Sequence, residues 1–246
     1  MQKERQEKLN LLDLTRYYVW ASYRRKLLDR LLDRYREAFS GVVLDIGGRS
    51  RGRFEKPKTF VDKWIFADIN PEYKPDMVLD VANMKDIEDQ SVDVICACEL
   101  FEHVEKIELG LDECVRVLKK DGTMILSVPF LYAIHADPSD YQRWTEFKWR
   151  KEIEQRACRI NTFIIMGRFF TIMADHTKTF FKSLPKPLNW MVVFLLPILD
   201  MLVRLDELPL IQSNHLLGKF HGGYFMTIKK YGEPHEKISS KHQVTA

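Results

Sequence analysis

The chain has 246 residues, of which 46% are hydrophobic and 30% are charged, and its formal net charge is +3. This length supports one full hydrophobic core and excludes two large domains. The near balance of charge gives no argument for a nucleic-acid partner, and none is predicted.

Residues 1–40 are predicted to form a helical extension. Leu, Tyr and Trp recur in it near helical spacing, with Arg and Lys between them. We interpret it as a packing helix with a solvated basic stripe, and contact with an anionic membrane surface or substrate is the alternative. No apolar signal-peptide core follows the charged first residues, so a cytoplasmic location is predicted.

From residue 41 to residue 167, strand patterns alternate with helix patterns. The predicted helices cover residues 106–122, with Gly122 as the stop, and residues 145–158, with Thr145 as N-cap. The predicted strands are continuous apolar runs, typical of strands that are covered on both faces. They are "GVVLDIG" (41–47), "WIFADIN" (64–70), "DMVLDV" (76–81), "VDVICACEL" (92–100), "TMILSVPF" (123–130) and "NTFIIMG" (161–167).

Residues 168–221 interrupt this alternation before a last strand, "GGYFMTIKK". We interpret them as a helical insertion that serves as a lid or docking element. Its most apolar segment, 188–203, contains a proline and an acid and is shorter than the ~20 residues of a spanning helix, so no transmembrane helix is predicted. The predicted organisation is a helical extension, a main domain with this insertion, and a disordered polar tail, at residues 1–40, 41–231 and 232–246.

The alternation predicts an α/β fold: a Rossmann-like, seven-stranded, mostly parallel sheet with helices on both faces and an antiparallel last strand. Ligands of such sheets bind outside the carboxyl ends of the strands. Three acids, Asp45, Asp68 and Asp80, end three successive predicted strands. Carboxylates this close repel one another unless a ligand supplies hydroxyls, amines or positive charge. A ligand of that chemistry is therefore predicted at this edge.

Two glycines follow the first strand and favour a nucleoside ligand. Gly47 and Gly48 let a ligand approach the backbone closely. Asp68 comes 21 positions after Gly47, the spacing of an acid that binds ribose hydroxyls. An NAD-dependent oxidoreductase is an alternative, but its G-x-G-x-x-G motif requires glycine at the position of Arg49.

The cysteines indicate no metal site. Their spacing fits no zinc template, and no His-x-x-x-His motif follows them. We interpret them as buried free thiols in a reducing compartment. They are Cys96, Cys98, Cys114 and Cys158.

Several segments in order carry a family resemblance: "VVLDIGG", "FADIN", "LDVANM", "SVDVICACELFEHV", "ECVRVLKKDGTMILSVPF" and "IHADPSDYQRWT". Together they resemble the class I S-adenosylmethionine (SAM)-dependent methyltransferases, most closely the methyltransferase type 11 branch. The resemblance implies SAM as cofactor. It implies that Asp45 orients the glycine loop and the ligand's amino group, that Gly47 and Gly48 lie under the methionine portion, and that Glu99 and Leu100 pass close to its methionine end.

The resemblance also implies how the nucleoside is held. Asp68 would accept hydrogen bonds from the ribose hydroxyls, and Asp80 would accept one from the adenine amine, with Val81 donating from its backbone. The chain departs from the family where Arg49 replaces a usual glycine, with Arg51 near it. A non-catalytic SAM-binding or scaffold protein is therefore an alternative.

The segment after the fifth strand holds the candidates for a general base. His135 is predicted to take the proton of a hydroxyl acceptor, with Asp140 beside it. The alternative is that His135 and Asp140 bind each other or Arg143 and hold a lid loop. His103 is a second candidate that more often satisfies backbone at a helix start, and Glu102 is interpreted as a helix N-terminal charge.

The acceptor is predicted from the insertion, which is rich in aromatic residues and lysine. Such a segment suits a lipid-linked or membrane-adjacent acceptor, although packing onto the sheet explains the same residues. The predicted function is SAM-dependent methylation, on oxygen, of a small-molecule, sugar, glycan or lipid-intermediate acceptor. A peripheral membrane protein is a further alternative.

Overall fold

The computed structural model describes residues 11–48, 52–135 and 138–231. The helices in this part of the chain are α1 Leu11–Trp20, α2 Tyr23–Arg34, α3 Ile107–Val117, α4 Glu146–Glu154, α5 Phe169–Ser183, α6 Val192–Leu205 and α7 Pro209–Gln212. The strands are β1 Gly41–Ile46, β2 Val61–Asp68, β3 Met77–Val78, β4 Val92–Cys98, β5 Leu118–Pro129, β6 Cys158–Ile165 and β7 Gly223–Lys230.

The strands form one sheet in the order β3-β2-β1-β4-β5-β7-β6. Neighbouring strands from β3 to β5 pair in parallel, whereas β7 runs antiparallel to both β5 and β6. The predicted Rossmann-like fold is confirmed, including the antiparallel last strand. The order reverses between β1 and β4, and this switch point is where open α/β sheets bind ligands.

Helices cover both faces of the sheet, which explains the continuous apolar runs of its strands. On one face, Leu44 and Ile95 pack in a core that includes Leu111 of α3 and Trp149 of α4. On the other face, a second core packs Leu28, Leu31 and Leu32 of α2 against the strand side chains that point to that face. The helix α2 therefore forms one layer of the main fold, although it lies in the predicted N-terminal extension.

The predicted helix and strand bounds around two turns need correction. The helix α3 ends at Val117, and Gly122 lies inside β5 instead of stopping the helix. The chain turns within β5, because Asp121 adopts a left-handed φ of 61° and the pairing register jumps between Val92 and Val94. The third strand is also shorter than predicted, since pairing with β2 covers only Met77–Val78.

The predicted first helix is broken into α1 and α2, and residues 1–10 lie outside the described part of the chain. Ser22 makes the break by capping α2, because its side chain accepts a hydrogen bond from the Arg25 N–H. Asp175 of α5 adds a second cap by accepting the backbone N–H groups of Tyr23 and Arg24. A carboxylate is favourable there because a helix N-terminus carries partial positive charge.

The predicted insertion packs onto these N-terminal helices. Val192 and Leu196 of α6 contact Val19 of α1, and Leu199 packs with Tyr23. The opposite side of α6 is exposed and apolar, with Phe194 83% accessible to solvent. The helical segment Leu188–Leu205 is long and apolar enough to cross a membrane by length and composition, with a mean hydropathy of 1.8 and 17% of its residues buried.

Candidate active site at the carboxyl ends of the strands

A cavity of about 600 Å³ opens at the switch point between β1 and β4. This volume lies in the usual range for small-molecule sites. Six of the predicted cofactor residues line it, together with His103, the second candidate base, and further side chains. The six are Gly47, Asp68, Asp80, Val81, Glu99 and Leu100, and the further side chains include Tyr73, Pro138 and Tyr141.

Gly47 forms the floor of the cavity where β1 ends. Its N–H donates to the Ala67 carbonyl, and its φ of +70° is a conformation that side chains disfavour. A Cβ atom there would lie 3.3 Å from Leu100 Cδ1. Glycine therefore keeps the cavity open and leaves the backbone exposed to a ligand.

Asp45 and Gly48 are not among the residues that line the cavity, and their predicted places beside the ligand stay predictions. Side chains alternate along β1, so Asp45 points to the α2 side, fully buried, where it accepts a hydrogen bond of 3.0 Å from Trp64 Nε1. Lys56 Nζ lies 3.6 Å from the same carboxylate. Asp45 supports the glycine turn from behind, and its contact with the ligand's amino group stays a prediction.

Replacing Gly48 by Ala is expected to lower stability and to weaken binding of S-adenosylhomocysteine, the product that the resemblance to SAM-dependent methyltransferases implies. A Cβ atom at Gly48 would lie 2.1 Å from Asp45 Oδ1, and Asp45 cannot move because it is buried and held by Trp64. Overpacking of this kind costs about 1–3 kcal/mol. Thermal unfolding with and without ligand measures both effects, and a Gly48→Ala protein with wild-type values would contradict the tight turn.

Asp68 and Asp80 place two carboxylates in the cavity. One oxygen of Asp68 accepts the Asn70 N–H at 2.9 Å, and one oxygen of Asp80 accepts the Ala82 N–H at 2.9 Å. In each case the carboxylate accepts the backbone N–H of the residue two positions later, and this hydrogen bond fixes the side chain at the end of its strand. Two of the three predicted acids therefore line one crevice, whereas the third, Asp45, is buried behind it.

Glu99 follows β4 in a left-handed conformation and forms a buried ion pair with Arg24. Ser127 Oγ donates to the same carboxylate at 3.0 Å. Burial alone would raise the pKa of Glu99, but the adjacent Arg24 guanidinium outweighs it and lowers that pKa. The basic stripe predicted for α2 is therefore corrected at Arg24, which is buried and contributes to the site.

Glu102, His103 and His135 form a cluster at the edge of the cavity. Both histidine Nε2 atoms lie 3.8 Å from Glu102 Oε1, and His103 itself lines the cavity. Glu102 lies in the first turn of a short 3-10 helix, as its interpretation as a helix N-terminal charge requires, and it is only 1% exposed. Burial, and then the negative charge of Glu99, raise the pKa of Glu102 well above its ordinary value.

Asp140 holds the loop that carries His135. It forms an ion pair with Arg143 and accepts the His135 backbone N–H at 3.0 Å. Burial opposes but does not cancel the Arg143 interaction, which lowers the pKa of Asp140. These contacts are those of the lid-loop alternative, and neither His135 nor Asp140 lines the cavity. Their catalytic roles stay predictions.

Sequence reasoning missed Arg24, Tyr73 and the buried state of Glu102. Arg24 stands among many basic residues of an amphipathic helix, and nothing local distinguishes it. Glu102 is not distinguished locally either, because its two neighbours are one apolar and one polar residue, Phe101 and His103. Arg49 and Arg51, which raised the scaffold alternative, lie outside the described residues.

A family model described as a methyltransferase domain matches residues 65–126. The match runs from β2 through β5 and contains most of the cavity lining, including Asp68, Asp80 and Glu99. No curated protein sequence matches the chain at a significant level.

Solved structures share the fold at low sequence identity. A SAM-dependent methyltransferase from Archaeoglobus fulgidus is 18% identical, with a TM-score of 0.52 over 90% of this chain and 100% of the other. A candidate sarcosine dimethylglycine methyltransferase from Galdieria sulphuraria is 16% identical, with a TM-score of 0.54 over 86% and 85%. The [4+2]-cyclase SpnF is 15% identical, with a TM-score of 0.53 over 82% and 80%. At these identities the likeness establishes the fold.

The fold and its switch-point cavity define an α/β protein of the class I methyltransferase type. The methyltransferase-domain match to residues 65–126 supports the SAM-dependent methyltransferase that the motifs predicted. The same match implies SAM as the cofactor. The cavity fits this group, because it combines a backbone floor at Gly47 with two carboxylates, Asp68 and Asp80, that can accept nucleoside hydroxyl and amine hydrogens.

Proposed function

We propose that this methyltransferase methylates a hydroxyl oxygen of a sugar, glycan or lipid-linked intermediate. The cluster of Glu102, His103 and His135 carries the proposal, because it places proton-accepting groups at the edge of the cavity beside Glu99 and Leu100. A hydroxyl acceptor needs such groups, since its proton must leave as the new bond forms.

In the residue assignment that we propose, Asp68 binds the ribose hydroxyls and Asp80 and the Val81 backbone bind adenine. The methionine portion lies across Gly47 toward Glu99 and Leu100. Asp45 and Gly48 hold the turn beneath it.

Bound SAM supplies a methyl group on a positively charged sulfur. Transfer breaks the S–CH₃ bond, whose electron pair stays on sulfur, and forms an O–CH₃ bond on the acceptor. The acceptor's proton passes through the cluster to solvent. The main contribution of the protein is to align the acceptor oxygen with the methyl group and to exclude water.

The exposed side of α6 supports an acceptor at a membrane surface. Phe194, Ile198 and Met201 recur at helical spacing on α6 and are all exposed, whereas the opposite side of the helix packs on protein. Asp200, in the middle of the apolar segment, accepts a hydrogen bond from Tyr23 Oη at 2.6 Å. A helix tied to protein on one side suits lying in the membrane interface better than crossing it. We therefore propose a cytoplasmic protein with peripheral membrane contact.

Methyl-labelled SAM tests the acceptor class. The full chain is incubated with a lipid extract in one reaction and with soluble sugars and nucleic acid in others. Label in a methyl group that NMR assigns to an ether oxygen of a lipid or sugar product supports O-methylation of these acceptors, whereas label only on nitrogen or only in nucleic acid contradicts it. Binding of NADH but not of S-adenosylhomocysteine would favour the oxidoreductase alternative.

Vesicle sedimentation tests the membrane contact separately. Replacing Phe194 and Ile198 by Glu is expected to release the protein from vesicles that contain anionic lipid. Phe147→Glu is the matched control, because Phe147 is 82% exposed on α4, away from this surface. Equal binding of all three proteins would contradict docking through α6.

A further inference from the structure

We propose that Glu102, His103 and His135 bind a divalent transition-metal ion of the zinc type beside the methyl-transfer cavity. One ligand atom from each residue lies within 4.8 Å of the other two. Two imidazole nitrogens and one carboxylate are a ligand set that catalytic zinc sites use. The sequence predicted no metal site because residues 102 and 135 are far apart in the chain.

The hydrogen bonds of the two rings turn their free nitrogens toward Glu102. His103 Nδ1 lies 2.6 Å from the Ser139 carbonyl oxygen, which can only accept, so Nδ1 carries the proton. His135 Nδ1 lies 3.2 Å from the Ala133 carbonyl and 3.5 Å from Asp140 Oδ2, which are also acceptors. Both Nε2 atoms therefore present lone pairs to the Glu102 carboxylate. Metal-binding histidines are oriented in this way by carbonyl and carboxylate partners.

Glu102 gives an independent reason for a cation. It is 1% exposed, and within the described residues neither of its carboxylate oxygens has a hydrogen-bond partner. A buried carboxylate without partners is costly, and Glu99 adds a second negative charge nearby. The charges of Arg24 and Arg143 offset this cost only in part, because each guanidinium forms its ion pair with another acid, Glu99 or Asp140. A metal ion between Glu102 and the two Nε2 atoms would satisfy all three acceptors.

The position of the cluster suggests what the ion does. His103 lines the cavity, and the side chain of His135 is partly exposed, so the site is open on one side. Three protein ligands leave a coordination position for an oxygen of the acceptor. Coordination would lower the pKa of the acceptor hydroxyl, so its proton would be lost to solvent and the two histidines would hold the ion instead of accepting that proton. This role rests on the proposed function, whereas metal binding itself does not.

Titration of the tag-free, metal-stripped full chain with Co²⁺ tests the site through the visible absorption of the ion. We expect one bound equivalent, displaced by Zn²⁺, and an affinity about 100-fold lower or worse in His135→Ala and Glu102→Gln. His176→Ala is the matched control, because His176 is an exposed histidine on α5 and not part of the cluster. Circular dichroism verifies that each variant is folded.

Binding of S-adenosylhomocysteine to the same proteins separates this proposal from the proposed function. The metal site is overturned if the wild type does not bind Co²⁺, or if His135→Ala binds it as tightly as the wild type does. Either result holds even if S-adenosylhomocysteine binds. A protein that binds Co²⁺ as expected but no S-adenosylhomocysteine keeps the metal site and contradicts the cofactor assignment. If the cluster holds only a shared proton, the wild type will show no cobalt absorption, which also overturns the proposal.

Discussion

Replacing Arg24 by Met is expected to lower the free energy of unfolding by about 3–5 kcal/mol, because it leaves Glu99 buried without its partner. Arg24 and Glu99 have 7% and 16% of their side chains exposed, so solvent cannot compensate for the lost charge. Urea unfolding of the two proteins measures the difference. Arg30→Met is the matched control, since Arg30 is exposed on the same helix.

The double replacement Arg24→Met with Glu99→Met distinguishes charge from packing. Removing both charges is expected to restore much of the lost stability, because an apolar pair of similar volume can replace a buried ion pair. A double variant as unstable as the sum of the single variants would contradict this account. The wild-type ion pair has its full effect above the unfolded pKa of glutamate, about 4.3, and loses it as the pH falls through the lowered folded pKa of Glu99.

Replacing Asp68 by Asn is expected to weaken S-adenosylhomocysteine binding about 10–100-fold. Hydrogen bonds to a charged acceptor contribute about 1.5–3 kcal/mol each, and the amide removes the charge. Asn retains an oxygen that can accept the Asn70 N–H, so the turn after β2 should survive. Calorimetric titration measures the affinity, and thermal unfolding without ligand verifies the fold.

Asp62→Asn is the control for this change, because Asp62 is exposed near the start of β2 and far from the cavity lining. Its affinity should equal that of the wild type. An unchanged affinity in Asp68→Asn would show that Asp68 does not contact the nucleoside. A loss of affinity in both variants would indicate a general effect of charge.

Arg24 couples the N-terminal helices to the cofactor cavity. It lies on α2, pairs with Glu99 at the end of β4, and its guanidinium lies 4.5 Å from the ring centre of Tyr132. The insertion holds this helix in turn, because Asp175 caps it. Membrane contact through α6 would therefore act on the same helical layer that positions Glu99.

The sequence by itself determined the sheet and much of the cofactor edge. Continuous apolar strands that alternate with amphipathic helices have few other ways to bury their surface, so the parallel sheet followed from local pattern. The placement of Asp68, Asp80 and Gly47 followed because the carboxyl ends of parallel strands meet at one edge. Local turn chemistry was less certain, since Gly122 ends no helix and lies inside β5.

Tertiary structure decided the direction and the partners of the remaining side chains. Side-chain alternation along β1 turned Asp45 away from the cavity, and packing buried Arg24 and Glu102, which look like ordinary surface charges in the sequence. His135 reaches Glu102 only because the loop after β5 returns over the end of β4. Contacts between residues distant in the chain depend on how the whole fold closes, and no local pattern encodes them.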